Sequence, residues 1–103
     1  MLVGIGLQKK RSAPLRVQAR QMSRGLSTEF GVALREARLR AKMTQADVAK
    51  RARLGQTYVS RVELGHQNIT LDSMSLLARA VGLHVSLVIA RDDRNSEDHT
   101  ADE

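Results

Sequence analysis

Residues 44–65 constrain the fold most strongly, because two short segments with helical apolar spacing are separated there by a tight turn. Thr44 followed three residues later by Asp47 has the spacing of a capping box, which marks the start of a helix. The apolar positions of both segments recur at the spacing of one buried helix face. The inward-facing residues are Val48, Ala49, Ala52, Val59 and Val62. The stretch therefore predicts two short helices packed against each other.

The turn between these helices consists of Arg53, Leu54 and Gly55. Leu54 is expected to reach the core, and Gly55 is the expected N-cap of a helix over residues 56–64. Gly65 fits the left-handed position that commonly follows a helix. Alternatively, Gly55 itself adopts the left-handed conformation and shifts the turn by a residue or two. That alternative leaves the first residue of the helix open.

Two further helices complete the predicted bundle. One covers residues 29–41 behind a cap at Ser27 or Thr28. The other covers residues 71–81, is capped by Thr70 and ends before Gly82. Their apolar stripes are Phe30, Ala33, Leu34, Ala37 and Ala41 in the first, and Leu71, Met74, Leu77, Ala78 and Val81 in the last.

After Gly82 the apolar period changes from helical to alternating, which predicts a strand over residues 83–89. The residues on its apolar side are Leu83, Val85, Leu87 and Ile89. A single strand on a helical domain has unpaired backbone groups, so it needs a partner strand. The simplest partner is the same strand of a second copy. The predicted fold is thus all-α, a compact bundle of about four helices, with a short C-terminal β-strand paired between subunits of a homodimer.

Charge divides the chain, whose formal net charge is +6, into three parts. Residues 1–28 contain basic residues and no acidic residue, and we interpret them as a flexible basic arm. The alternatives are an upstream extension, with Met22 as the natural start, and a targeting peptide. Residues 29–82 form the helical domain, 83–91 the dimerisation strand and 92–103 an acidic, disordered tail. The basic balance favours nucleic acid as the partner.

Composition argues against several classes of protein. The chain has no cysteine, which excludes disulfides and thiolate metal sites. It contains no glycine-rich phosphate loop or H-E-x-x-H spacing, and its three histidines are scattered. We therefore expect no enzyme activity, no cofactor and no bound metal. No apolar run reaches the roughly 20 residues that span a bilayer, so we expect no membrane partner and a cytoplasmic, nucleoid-associated location.

Polar side chains occupy the outward face of the helix predicted over residues 56–64. A helix fits the major groove of B-DNA, where glutamine can pair bidentately with adenine and arginine with guanine. The candidate base-reading residues are Gln56, Thr57, Ser60 and Arg61. The alternative is an ordinary solvated face.

Taken together, these residues resemble the helix-turn-helix of Cro and lambda-repressor-like regulators, the XRE class. The matching positions are Thr44, Gln45, Val48, Ala49, Ala52, Leu54, Gln56, Tyr58, Val59, Ser60, Val62, Glu63, Gly65, Thr70 and Leu71. The resemblance implies a lambda-repressor-like bundle and an ion pair between Arg38 and Glu63. With the turn residue Arg53, it also suggests a set of contacts to DNA phosphates. These are Thr44, Gln45, Arg53, Tyr58, His66 and Asn68. Tyr58 could instead be a half-buried packing residue, and Arg38 and Glu63 could both be exposed.

The predicted function is a sequence-specific DNA-binding regulator, a repressor that binds a palindromic operator in double-stranded DNA as a homodimer. The alternative is an antitoxin that neutralises a toxin protein and regulates its own operon. Some antitoxins also combine a compact DNA-binding domain with a short dimerising strand and a charged tail. A third possibility is a basic scaffold or targeting-peptide protein that does not read DNA.

Overall fold

The computed structural model describes residues 13–92. They form four helices, which we name α1 (Leu15–Arg40), α2 (Gln45–Ala52), α3 (Gln56–Glu63) and α4 (Leu71–Ala80). Helix α3 packs against both α1 and α2, and α2 also packs against α4. This arrangement confirms the predicted all-α bundle with a helix-turn-helix. Residues 1–12 of the predicted arm and 93–103 of the predicted tail lie outside the described residues.

The core lies where the four helices meet. Its largest fully buried side chains are Leu34, Leu77, Val48 and Val59, one from each helix. Two predicted members of the α1 stripe, Ala33 and Ala41, are exposed, as is Leu71 at the start of α4. On α1 the stripe prediction was wrong because the buried face is narrower and is shifted toward Gly31 and Arg38. Leu71 is the first residue of α4, whose buried residues are Leu77, Ala78 and Ala80.

Helix α1 begins at Leu15, so the start predicted at residue 29 was wrong. Pro14 occupies the N-cap position, where its missing N–H is not needed by the helix. Gly25, which suggested an interruption, lies inside the helix, where glycine costs only about 1 kcal/mol relative to alanine. The N-terminal half of α1 therefore continues the first helix of the bundle without a break.

Side-chain caps begin α2 and α4, as predicted. The Asp47 N–H donates to Thr44 Oγ1 at 3.0 Å, and the Thr44 N–H donates to Asp47 Oδ2 at 2.9 Å. These two bonds form the complete capping box. The same hydrogen bonds lower the pKa of the Asp47 carboxyl below its usual value. At α4, the Ser73 N–H donates to Thr70 Oγ1 at 3.1 Å.

Each of the four described helices is followed by a residue in the left-handed conformation, namely Lys42, Arg53, Gly65 and Gly82. In every case the next N–H donates back to a carbonyl five residues earlier, for example from Leu54 to Ala49 at 2.9 Å. This is the Schellman geometry. At the turn before α3 the left-handed residue is Arg53, with φ 58°. Gly55 is extended at φ −74°, so the shifted turn proposed for it was wrong.

Residues 83–92 have no regular secondary structure in the described chain. The predicted strand at residues 83–89 is therefore not confirmed. The physical reason is that a strand is defined by hydrogen bonds to a neighbouring strand, and none of the other described segments is a strand. Among the described helices, none is both long and apolar enough to cross a membrane.

Candidate nucleic-acid interface

Helix α3 has one buried face and one exposed face. Val59 and Val62 are buried in the core. Three of the four predicted base-reading residues, Gln56, Thr57 and Arg61, are exposed, while Ser60 is partly buried. The structure therefore brings the four predicted reading residues onto one short helix and leaves their polar groups accessible to a ligand.

The N-terminus of α3 has no side-chain cap, because Gly55 is the N-cap residue. The first N–H groups of a helix have no partner within the helix and carry a partial positive charge. Gln56 and Thr57 extend from this same first turn. An anionic ligand approaching the exposed face of α3 thus meets hydrogen-bond donors from both the backbone and the side chains.

The ion pair between Arg38 of α1 and Glu63 of α3, which the resemblance implied, is present and buried. Arg38 Nε donates to Glu63 Oε2 at 2.6 Å, and Arg38 Nη2 donates to Glu63 Oε1 at 3.0 Å. Arg38 Nη1 also donates to the Met43 carbonyl at 2.9 Å. The hydrogen bond to Glu63 raises the pKa of Arg38 above its usual range, against the effect of burial. The bidentate geometry fixes the C-terminal end of α3 against α1.

Gln45 joins this network from the first residue of α2. Its Nε2 donates to Glu63 Oε1 at 3.0 Å. Gln45 was predicted as a phosphate contact from the resemblance alone, and the structure adds a second role that the sequence did not suggest. Glu63 of α3 therefore ties together three helices of the bundle, because its carboxylate accepts hydrogen bonds from Arg38 of α1 and Gln45 of α2.

Gly31 is a further residue that positions α3, and the sequence reasoning missed it. A Cβ atom at this position would lie 2.2 Å from the Val62 carbonyl oxygen and 3.1 Å from that of Glu63. Only glycine allows the backbones of α1 and α3 to approach this closely. The available indication was a glycine inside a helical apolar pattern, which often marks close packing.

The predicted phosphate-contact residues lie in several parts of the fold. Thr44 precedes α2, Arg53 lies in the turn before α3, and His66 and Asn68 follow α3; all four are exposed. Tyr58 is half-buried and packs against the core, which is the packing alternative that the sequence left open. In residues 13–92 no group of three or more histidine or acidic side chains could hold a metal.

Comparison with known proteins identifies the family. The helix-turn-helix family model matches residues 34–88, which is more than half of the chain. The chain belongs to the helix-turn-helix family. It is accordingly a DNA-binding transcriptional regulator of the XRE type. The matched range contains α2, the turn and α3 in full.

Two proteins of described function are similar to this chain. Control protein C.BamHI of Bacillus amyloliquefaciens is 32% identical over 63 residues, covering 60% of this chain and 78% of the relative. The crystal structure of the wild-type restriction-modification controller protein C.Esp1396I is similar with a TM-score of 0.54 and 29% identity. That match covers 56% of this chain and 76% of the other.

A structure of a tyrosine-to-phenylalanine mutant of C.Esp1396I also matches. Its TM-score is 0.54 and its identity 23%, and the match covers 75% of this chain and 89% of the other. At that identity the likeness concerns the fold alone. The match shows that the fold is shared over most of the relative's length.

Proposed function

We propose that the protein represses transcription as a homodimer in which α3 of each subunit reads one half of a palindromic DNA operator. The observation that carries this proposal is the exposed polar face of α3, with the opposite face buried and the helix end fixed by the Arg38–Glu63 pair. A reading helix needs a fixed orientation, because bidentate pairing to a base edge requires two hydrogen bonds to form together. Such a regulator acts on the nucleoid in the cytoplasm.

The four reading residues have different roles in the proposal. Gln56 pairs with adenine and Arg61 with guanine, each contributing about 1–3 kcal/mol of discrimination against the wrong base. Thr57 and Ser60 are short side chains that contact bases or phosphates near them. Discrimination therefore depends mainly on the two long side chains, one at each end of α3.

Contacts to the DNA backbone fix the register of α3 in the groove but carry no sequence information directly. In the proposal they come from Thr44, Gln45 and Arg53 on one side of α3 and from His66 and Asn68 on the other. The Tyr58 hydroxyl supplies a further contact. Exposure of Thr44, Arg53, His66 and Asn68 supports this assignment. Gln45 can bind a phosphate with its second amide hydrogen while it continues to donate to Glu63.

The dimer is proposed to form through residues 83–89. The side chains of Leu87, Val88 and Ile89 are 74%, 83% and 87% exposed in the single chain. Three successive exposed apolar residues are unfavourable in water unless a partner covers them. Pairing with the same segment of a second copy brings the apolar side, Leu83, Val85, Leu87 and Ile89, against the partner and satisfies the backbone groups. It also sets the two α3 helices for half-sites about 34–36 Å apart.

The regulated genes are proposed from the relatives. C.Esp1396I is a restriction-modification controller protein, and C.BamHI is a control protein. We infer that this chain likewise controls genes of a restriction-modification system, including its own. Neither the family match nor these relatives support the antitoxin alternative, which rests on the strand pattern and the acidic tail alone.

The test of base reading is selection of bound duplexes from a random DNA pool with the full chain, followed by titration of the variants Arg61→Ala and Gln56→Ala. We expect a palindromic site, and each variant should relax the preference at one base position in each half-site. Arg35→Ala, an exposed arginine on α1, is the matched control and should retain the preference. If Arg61→Ala weakened binding equally on every DNA sequence, the result would show that Arg61 contacts phosphate only.

The test of the dimer is the solution mass of the full chain and of Val85→Pro. Proline removes a backbone donor from a strand, so the variant should be monomeric where the parent is dimeric. Pro substitution at exposed His84, on the other side of the predicted strand, tests the register, because only one set of donors faces the partner strand. A dimer unaffected by either change would contradict pairing through this segment.

A further inference from the structure

The N-terminal half of α1 carries a basic stripe that the helix-turn-helix does not account for. Arg16, Arg20 and Arg24 follow one another at intervals of four, so they share one face of the helix. All three are exposed, and no acidic residue occurs between residues 15 and 28. Like charges at this spacing repel each other. This repulsion slightly destabilises the isolated helix, and a bound external anion would relieve the repulsion.

The position of this stripe relative to α3 follows from helix geometry. Arg24, Gly31 and Arg38 are seven residues apart, which is close to two turns, so they lie on nearly the same side of α1. Gly31 and Arg38 are the residues through which α1 packs against α3. The basic stripe therefore continues along the side of α1 that faces α3, beyond the point where the contact with α3 ends.

The loop that follows α3 lies between α3 and the basic stripe of α1 and connects the two surfaces. Arg20 and Arg24 line one open groove together with residues 65–68. Gly65 is held against α1, because a Cβ atom there would lie 2.9 Å from Thr28 Oγ1. This fixed contact places His66 and Asn68 along the same groove as the two arginines. The loop and the stripe consequently form one continuous polar surface.

We propose that Arg20 and Arg24 bind the phosphate backbone of the same DNA duplex that α3 reads, and that Arg16 extends this contact outward. The inference rests on the proposed function, since His66 and Asn68 mark where the backbone leaves the helix-turn-helix. A DNA strand whose phosphates pass the loop then runs along the groove toward Arg24 and Arg20. The contact enlarges the footprint of each subunit without adding any base reading, because guanidinium groups bind phosphates irrespective of sequence.

The experiment compares the salt dependence of binding for Arg20→Gln/Arg24→Gln and the parent, using fluorescence anisotropy with the full chain. Both the selected operator and a scrambled duplex are titrated between 50 and 200 mM salt. Each lost phosphate contact lowers the salt slope by about 0.9, which reduces the affinity ratio across this range by about 3.5-fold. We expect two such losses per bound protomer, equal on both duplexes, with the base preference unchanged.

Two control variants accompany this measurement. Arg40→Gln/Arg79→Gln removes the same charge at exposed positions in the last turns of α1 and α4, and its salt slope should match that of the parent. Arg20→Lys/Arg24→Lys retains the charge and should keep most of the slope. Glutamine and arginine have similar helix propensity, so helix content should be unchanged by circular dichroism. If the helix content of the glutamine variant falls, Arg20→Ala/Arg24→Ala is used in its place, and the same change in salt slope is expected.

The outcomes distinguish the stripe from the reading helix. Equal salt slopes for Arg20→Gln/Arg24→Gln and the Arg40→Gln/Arg79→Gln control would overturn the stripe contact. The result for Arg61→Ala would still decide base reading. Conversely, the absence of any selected operator would refute base reading, and the slope on the scrambled duplex would still decide the stripe contact. A changed base preference with an unchanged slope would also overturn the inference.

Discussion

Helices α2 and α3 have the same length, eight residues each, yet they are stabilised in different ways. Helix α2 begins with the reciprocal Thr44–Asp47 capping box, whose two hydrogen bonds involve residues three apart. Helix α3 has no side-chain cap and instead depends on contacts with distant parts of the chain. These contacts are the Glu63 ion pair and the close backbone approach at Gly31.

The difference has a functional reason under the proposed mechanism. A helix as short as α3 is marginal by itself in water, so packing must supply its stability. Because the stabilising contacts come from its buried face and its C-terminal end, the exposed face and the first turn of α3 stay available for DNA. In α2 the backbone N–H groups of Thr44 and Asp47 are already used by its own cap. Loss of the packing contacts of α3 should therefore destabilise the protein more than loss of the α2 cap.

Replacing Glu63 with alanine should lower the free energy of unfolding by about 3–5 kcal/mol, because it leaves the buried Arg38 without its partner. Urea titration followed by circular dichroism measures this loss. Glu63→Gln should lose less, since the amide can still accept a hydrogen bond from Arg38. In Arg38→Met/Glu63→Leu the loss should be much smaller than the sum of the single changes. A loss below about 1 kcal/mol for Glu63→Ala would show that the pair does not fix α3.

Replacing Gly31 with alanine should destabilise the fold by about 2–3 kcal/mol, as expected for an overpacked contact. The added Cβ would meet the Val62 carbonyl at 2.2 Å, and a backbone oxygen cannot rotate away. Gly25→Ala is the matched control in the same helix, where a Cβ meets nothing within 4 Å. It should stabilise the protein by about 0.5–1 kcal/mol. Thermal unfolding of the two variants should therefore shift in opposite directions.

Replacing Thr44 with alanine removes half of the capping box and should cost about 1 kcal/mol. The effect should be smaller than that of Glu63→Ala because it is confined to the first turn of α2. Thr44→Ser, which retains the hydroxyl, is the control and should stay close to the parent in urea titration. If Thr44→Ala costs as much as Glu63→Ala, the contrast between a locally capped α2 and a packed α3 fails.

Replacing Gly55 with serine should stabilise the protein by only a few tenths of a kcal/mol, because serine is a slightly better N-cap than glycine. Gly55 has an extended backbone, which serine adopts without strain. A Cβ at this position also meets nothing within 4 Å. Stability is measured by thermal unfolding and operator binding by anisotropy. A stabilisation of about 1–2 kcal/mol would contradict the prediction, because glycine is only slightly poorer than serine as an N-cap.

Much of the fold follows from short-range sequence features. The caps at Thr44 and Thr70 and the helix ends near Gly65 and Gly82 were predicted correctly, since each depends on residues within one turn of the chain. The length of α1 was not predicted, because neither Gly25 nor the basic residues around it prevent a helix. The absence of acidic residues there suggested a flexible arm, but it also fits a helix.

The candidate interface was predictable in part. Residues Gln56, Thr57 and Arg61 could be placed on an exposed face from the apolar spacing of Val59 and Val62. The left-handed conformation of Arg53 could not be predicted from the sequence, because glycine usually occupies such a position and Gly55 lies two residues away. The Schellman hydrogen bond from Leu54 and the packing of Leu54 against the core stabilise this conformation for a non-glycine residue.

The sequence alone determined the helix-turn-helix, the caps that begin α2 and α4 and the polar character of the α3 face. These features depend on caps, turns and periodicity, whose interactions extend over only a few residues. The Arg38–Glu63 pair was implied by the resemblance, whereas its geometry, the close approach at Gly31 and the position of the basic stripe of α1 depend on how the helices pack. The Arg38–Glu63 pair joins residues separated by 25 positions, and the groove joins the first half of α1 to the loop after α3. Such contacts exist only once the helices have packed, so no local pattern specifies them.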